Sequence, residues 1–196
     1  MTELKELIGV VLAGGLSKRM KKDKSKLVYK TERHDIYTAK LLSRYCKTTI
    51  ISRNDSDDLL GSFRQIKDVV PEKGPLGALY SVFKEYPDNA LLVLACDLPF
   101  IDENVVESLI DARSEDYEAC CIKPTDDKQI EPLIAIYENR IKSKVEKHFL
   151  ENQLSPTKLL LESKLKTIHD NNGNSIFNAN TPEEYRKAKS TLSKSD

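Results

Sequence analysis

Residues 8–26 read IGVVLAGGLSKRMKKDKSK, and this stretch indicates both a fold class and a kind of ligand. Its first residues are apolar and rich in β-branched side chains, a pattern that predicts a buried strand. Gly14 and Gly15 end that strand, and glycine lets the backbone approach a ligand closely. Arg19 and Lys24 follow on a polar loop. A strand that opens into a glycine turn and then into cations is typical of a phosphate-binding loop.

The loop matches neither of two common phosphate-binding fingerprints. It contains no G-x-x-x-x-G-K-[ST] and no G-x-G-x-x-G. A basic run such as KKDKSK is usually a solvated surface. A phosphate role for Arg19 and Lys24 and a solvated loop therefore both stay open on these residues alone.

The composition is typical of a globular protein and argues against some classes of partner. A length of 196 residues favours a single domain, residues 1–196, whose last few residues are frayed. Lys plus Arg and Asp plus Glu both number 31, and this zero net charge argues against a nucleic-acid partner. No apolar run approaches about 18 residues and no signal peptide precedes the first strand, so we expect no membrane partner and a cytoplasmic location. The four cysteines form no C-x-x-C pair and are expected to be reduced core residues.

Apolar runs alternate with helical patterns along the chain. This alternation predicts an α/β fold with a mainly parallel sheet and helices on both faces. Strands are predicted at residues 8–12, 48–52, 66–70, 91–95, 118–122, 133–137 and around 168. Helices are predicted at residues 35–45, 76–86, 103–113, 140–150, 156–161 and 182–190.

Asp97 follows the apolar run LLVLA, residues 91–95, by one residue. Ligands of open α/β sheets bind outside the carboxyl ends of the strands. A carboxylate at such an end needs a partner, and Mg²⁺ favours one or two carboxylates together with substrate phosphates. Asp97 is thus a candidate magnesium ligand. A role in capping the following turn is the alternative that the residue alone leaves open.

The segment PEKGPLG, residues 71–77, is predicted to be a loop without regular structure. Gly74 and Gly77 would admit backbone close to a flat ring, so this loop is a candidate nucleotide-base pocket. A simple connection is the alternative. The three histidines, His34, His148 and His169, have no partner spacing and are predicted to lie on the surface.

Five blocks of the chain resemble, in order, the nucleotidyltransferases of molybdenum cofactor synthesis, the MobA-like family. The family patterns are L-A-G-G-x-S-x-R-M-G-x-D-K, G-P-L-x-G, C-D-x-P, P-L-x-A-x-Y and N-x-N-T-P-E. The matching blocks are LAGGLSKRMKKDK (12–24), GPLGA (74–78), ACDLPFI (95–101), EPLIAIY (131–137) and NANTPEE (178–184).

The resemblance implies a Rossmann-like domain that uses Mg²⁺ to transfer GMP from GTP to molybdopterin or Mo-molybdopterin, with release of pyrophosphate. It implies that Arg19 and Lys24 meet the triphosphate and that Asp97 holds Mg²⁺. The other residues implied to contact the nucleotide are Leu12, Ala13, Gly14, Gly15, Asn54 and Asp68. Asn178 and Asn180 are implied to contact the acceptor. Molybdoenzymes or other cofactor-synthesis proteins are the implied protein partners.

Two positions depart from the family pattern. Lys21 replaces the glycine of R-M-G, and TERHDIY, residues 31–37, stands where G-x-P-L is usual. Gly14 favours guanine as the base of the nucleotide, because cytidylyltransferase relatives usually read L-A-A-G at this loop.

Four alternative functions stay open. They are a cytidylyltransferase, a nucleotidyltransferase for another phosphorylated acceptor, a nucleotide-binding protein without turnover, and a partner that hands cofactor to a molybdoenzyme.

Overall fold

A computed structural model describes most of the chain. The described residues are 4–13, 26–54, 61–124, 129–170 and 175–193. Four residues of the predicted phosphate loop lie outside them: Gly14, Gly15, Arg19 and Lys24.

The described strands form one seven-stranded sheet in the order β3-β2-β1-β4-β6-β5-β7. In chain order, β1 to β7 are Leu7–Leu12, Thr48–Ser52, Arg64–Ile66, Ala90–Ala95, Ala119–Lys123, Glu131–Tyr137 and Leu165–His169. The first four strands are mutually parallel, whereas β6 runs antiparallel to both of its neighbours, β4 and β5. The mainly parallel α/β fold is therefore confirmed. The reversal at β6 matters for the site, because it brings the start of β6 to the edge where β4 ends.

Helices cover both faces of the sheet, as predicted. In chain order, α1 to α6 are His34–Leu42, Gly74–Glu85, Glu103–Asp111, Lys142–Leu150, Pro156–Leu161 and Pro182–Leu192. A 3₁₀ turn at Asn139–Ile141 leads into α4. Apolar residues of α1 and α3 pack on one face, and those of α2, α4 and α5 on the other. None of the described helices has the length and apolar character needed to cross a membrane.

All four cysteines are buried, as expected for core residues. Cys120 packs into the core on the α1 and α3 face, whereas Cys121 packs into the core on the opposite face. Burial raises the pKa of both thiols to about 12. Thiols of such high pKa are inert nucleophiles and behave as small apolar core groups.

Three sequence predictions are wrong. The strand predicted at 66–70 ends at Ile66, so Asp68 lies in a loop. Its backbone N–H donates to the Asn54 side chain rather than to a neighbouring strand. The predicted loop at 71–77 gives way at Gly74 to α2, because Pro75 suits the first helical turn, where no N–H partner is needed.

The third error concerns histidines. His34 and His148 are buried, with 3% and 5% of their surface exposed. Nε2 of His34 lies 3.1 Å from the Leu98 carbonyl oxygen, and Nε2 of His148 lies 3.0 Å from Oε2 of Glu162. Each long-range contact gives the imidazole a polar partner, which is what burial requires.

His34 makes the stability of the fold sensitive to acid. Burial lowers its pKa, against the opposing effects of the Leu98 carbonyl and the Asp35 and Asp97 charges. Below about pH 6.5 the unfolded chain therefore binds a proton that the folded chain resists. We expect the free energy of unfolding to decrease as pH falls from 7.5 to 5.5, measured by urea denaturation. His34→Gln should flatten that decrease, and an unchanged slope would contradict this assignment.

Candidate active site

The site is built on the carboxyl edge of the central strands. The register of β1 with β2 and β4 aligns Leu12 with Ser52 and with Ala95. Two further hydrogen bonds carry this alignment past the strands: Ala13 N donates to Ser52 O at 2.9 Å, and Cys96 N donates to Leu12 O at 3.1 Å. The segment that enters the predicted phosphate loop thus lies beside the turn that carries Asp97.

Asp97 and Asn178 form a polar pair on this edge, just after β4. With its amide nitrogen turned toward the carboxylate, Asn178 donates to Oδ1 at 2.8 Å and to Oδ2 at 2.9 Å of Asp97. The backbone reinforces the contact, since Ala179 N donates to Asp97 O at 3.0 Å. α6 holds the far end of this segment through a capping box, in which Thr181 and Glu184 satisfy each other's backbone N–H groups. The contact of Asn178 with the acceptor, which the resemblance implied, stays a prediction; in the structure its side chain lies against Asp97.

Glu131 is a second carboxylate near Asp97, and sequence reasoning missed it. It opens β6, and the antiparallel pairing of Leu94 with Ile134 brings that end of β6 to the carboxyl edge of β4. Burial raises the pKa of Glu131, the N–H of Leu133 works against this effect, and the Asp97 charge adds to it. The only available signal was EPLIAIY itself, which indicates a strand but not its direction.

Asn54 and Asp68 form a second polar pair on the same edge. Nδ2 of Asn54 donates to Oδ2 of Asp68 at 2.9 Å, and the N–H of Asp68 donates back to Oδ1 of Asn54 at 3.0 Å. Burial raises the pKa of Asp68 and the Asn54 hydrogen bond opposes this. Val69 N donates to Ser81 Oγ at 2.9 Å, which ties the Asp68 loop to α2, the helix that begins at Gly74. Gly74 has φ 61°, a conformation that glycine adopts without strain.

The two pairs occupy opposite ends of a shared edge. Asp97 follows β4 and Asn54 follows β2, and β1 lies between them. Adjacent strands are about 4.8 Å apart, so the two strand ends are separated by about 10 Å. Of the predicted site residues, the structure thus places Leu12 and Ala13 on the strand between the two pairs and brings Asp97 and Asn178 together at one end. It brings Asn54 and Asp68 together at the other.

The oxygen donors at Asp97 fit a hard divalent cation. The described residues contain no group of three or more His, Cys, Asp or Glu side chains that would form a complete metal cage. Mg²⁺ does not require one, because it is commonly bound through one or two carboxylates with substrate phosphates and water. The Asn178 amide offers a hydrogen-bond donor to Asp97 in one orientation and an oxygen ligand in the other.

Comparison with known proteins decides the family. The family model of the MobA-like NTP transferase domain matches residues 9–166, which include most of β1, all of β4 and the Asp97 turn. The chain belongs to this family. Family membership makes the protein a nucleotidyltransferase, so the enzyme class predicted from the sequence is confirmed.

Relatives of this MobA-like protein match over nearly their whole length. A probable molybdenum cofactor guanylyltransferase of Clostridium perfringens is 31% identical over 185 residues, which are 89% of this chain and 92% of that protein. A molybdenum cofactor guanylyltransferase of Campylobacter jejuni subsp. doylei is 31% identical over 193 residues, or 97% and 99% of the two chains.

Solved structures share the fold of the MobA-like chain. The molybdopterin-guanine dinucleotide biosynthesis protein A of Archaeoglobus fulgidus superposes with a TM-score of 0.79 at 22% identity, over 95% of this chain and 99% of that one. A CMP-2-keto-3-deoxy-manno-octonic acid synthetase in complex with CTP superposes with a TM-score of 0.75 at 10% identity, over 97% and 100% of the two chains. At these identities the likeness shows the α/β fold alone.

Proposed function

We propose that this protein transfers GMP from GTP to the phosphate of molybdopterin or Mo-molybdopterin, in a Mg²⁺-dependent reaction that releases pyrophosphate. The names of the two relatives described above support the reaction and its substrates. The observation that carries the proposal is the Asp97 carboxylate, held by Asn178 at the strand edge next to Ala13. A cytoplasmic location and contacts with molybdoenzymes or other cofactor-synthesis proteins belong to the same proposal.

Asp97 and Asn178 would hold Mg²⁺, which neutralises phosphate charge when bound. Arg19 and Lys24, which belong to the predicted phosphate loop, would contact the triphosphate and balance the charge of the departing pyrophosphate. Asn54, Asp68 and Gly74 would face the base end of the nucleotide, together with the backbone of residues 12–15. Asn180 would contact the acceptor.

The chain's contribution to rate is positioning and charge. The acceptor phosphate oxygen attacks the α-phosphorus of GTP, and the bond from that phosphorus to the bridging oxygen of pyrophosphate breaks. Nucleophile and leaving group are both phosphate oxygens, so the reaction needs neither a covalent enzyme intermediate nor a general base. Preorganised groups that orient the two substrates and balance developing charge account for catalysis of this kind.

A panel of four nucleoside triphosphates tests the proposal. Each is incubated with the protein, Mg²⁺ and molybdopterin, and pyrophosphate release is measured. We expect release with GTP that requires molybdopterin. Preferred use of CTP would identify a cytidylyltransferase, and release only with a different phosphorylated acceptor would change the substrate. GTP binding without release under any acceptor would identify a nucleotide-binding protein without turnover.

Asn178→Ala should weaken the affinity of the protein–nucleotide complex for Mg²⁺ by about 10-fold or more, because side chains that orient metal ligands contribute on this scale. The measurement is the Mg²⁺ dependence of pyrophosphate release. Asn180→Ala is the matched control, from the same segment. It should raise the KM for molybdopterin and leave the Mg²⁺ dependence unchanged. An equal Mg²⁺ dependence in wild type and Asn178→Ala would contradict the role given to Asn178.

A further inference from the structure

Tyr29 carries a buried hydroxyl without a partner. Only 4% of the residue is exposed, and its Oη makes no hydrogen bond within the part of the chain that the structure describes. An unpaired buried donor costs free energy, and phenylalanine would fill the same space without that cost. The packing of the ring therefore explains the aromatic side chain but not its hydroxyl group.

The ring of Tyr29 lies between the two elements that hold the Asp97 turn. On one side it meets His34 edge to face, with centroids 4.9 Å apart, and His34 contacts the carbonyl of Leu98. On the other side it meets Tyr185 of α6 at 5.1 Å. The segment that leads into α6 reaches Asp97 through Asn178. Tyr29 is thus packed against both supports of the Asp97 carboxylate.

Burial, together with neighbouring charge, favours the protonated form of the Tyr29 hydroxyl. Burial raises the pKa of Tyr29 well above its usual value, and Asp97 is the first among the neighbouring groups that raise it further. The phenol is therefore a hydrogen-bond donor in the field of Asp97, although it makes no bond to that carboxylate. A ligand bound at Asp97 would bring phosphate oxygens, which are acceptors of the kind that this donor lacks among the described residues.

We propose that the hydroxyl of Tyr29 donates a hydrogen bond to a phosphate oxygen of the substrate bound at Asp97. The proposal rests on the proposed function, since it takes Asp97 to be the place where phosphates gather. Phosphate oxygens are strong acceptors, and a neutral donor offsets part of the repulsion between a phosphate and the carboxylates of Asp97 and Glu131. The phosphate comes from the nucleotide or from the acceptor, and the two sources predict different losses of affinity.

Tyr29→Phe removes only the hydroxyl and tests the assignment. The ligand-free variant should melt no lower than wild type, because no internal hydrogen bond is lost. Binding of the α,β-methylene analogues of GTP and CTP is measured by calorimetry with Mg²⁺ present, and the KM for molybdopterin is measured by pyrophosphate release. A hydrogen bond to a charged group corresponds to a loss of about 10- to 100-fold. A loss in analogue binding assigns the nucleotide phosphate, and a rise in the KM for molybdopterin assigns the acceptor phosphate.

Tyr185→Phe is the matched control in the same aromatic cluster. Its hydroxyl donates to Val28 O at 2.8 Å, so its loss should lower the melting temperature and leave both affinities within about twofold. The proposal is overturned if Tyr29→Phe changes neither affinity, or if it lowers the melting temperature as Tyr185→Phe does. It is also overturned if wild type binds neither analogue and does not use molybdopterin. If the analogues bind in a Tyr29-dependent way but no transfer occurs, the proposed function fails and the role of Tyr29 stands.

Discussion

Asp97→Ala is expected to lower nucleotidyl transfer by about 10³-fold or more and to leave the protein folded. The variant loses the carboxylate that would hold Mg²⁺, and electrostatic groups of this kind supply the largest single contributions to rate. The loss to stability is expected to be small, because hydrogen bonds such as those from Asn178 each contribute about 1 kcal/mol. We therefore expect a melting temperature within about 4 °C of wild type. Pyrophosphate release and thermal denaturation provide the two measurements.

Asp102→Ala is the matched control for Asp97→Ala. Asp102 lies on the same loop but caps α3, where its side chain accepts from Val105 N at 3.1 Å. Loss of the cap should cost about 1 kcal/mol of stability and leave transfer within a few-fold of wild type. Substantial transfer by Asp97→Ala would remove the metal assignment. A comparable loss in both variants would trace the effect to the loop rather than to the carboxylate.

Asp35→Ala is expected to destabilise the protein by about 3–5 kcal/mol, the usual cost of removing one partner of a buried ion pair. Asp35 is fully buried and accepts from two arginines: Nη2 of Arg33 lies 2.6 Å and Nη1 of Arg53 lies 3.2 Å from its Oδ2. Arg53 is itself 1% exposed. Because Arg53 directly precedes Asn54, this network also anchors one end of the candidate nucleotide site. Urea denaturation with a two-state fit measures the loss.

Arg44→Ala is the control for Asp35→Ala, because it removes an exposed ion pair just after α1. Its ion pair with Glu103 joins two side chains that are 60% and 51% exposed. Exposed ion pairs contribute less than about 1 kcal/mol to stability, so the free energy of unfolding of this variant should be within about 1 kcal/mol of wild type. An equal loss of unfolding free energy in Asp35→Ala and Arg44→Ala would show that the buried Asp35 network contributes no more to stability than an exposed ion pair.

Local signals in the sequence were reliable. Thr48–Ser52 forms the strand predicted for TTIIS, residue for residue. Helices begin at residues 103, 156 and 182, as predicted, and Asp102, Ser155 and Thr181 each cap one of them through a side-chain oxygen. These features depend on a few neighbouring residues, and so a sequence window contains all the information needed. The family and enzyme class were also within reach, because they depend on short blocks in a fixed order.

Contacts between distant segments were not predictable in the same way. The direction of β6, and with it the approach of Glu131 to Asp97, depends on which strands the chain pairs. The placement of Asn178 on Asp97 joins residues 81 positions apart in the sequence. The burial of Tyr29 and His34 follows from the same tertiary packing. The single-domain assignment and the roles of Arg19 and Lys24 stay predictions.

The most direct measurement is a crystal structure with Mn²⁺ in place of Mg²⁺ and the non-hydrolysable α,β-methylene analogue of GTP. The anomalous signal of Mn²⁺ locates the cation independently of the fold. We expect an anomalous peak about 2.1 Å from an Asp97 carboxylate oxygen, which is the usual metal–oxygen distance for Mg²⁺. The same peak should lie in contact with the phosphates of the analogue. A cation bound to the phosphates but remote from Asp97, with the Asn178 amide still donating to both carboxylate oxygens, would contradict this expectation.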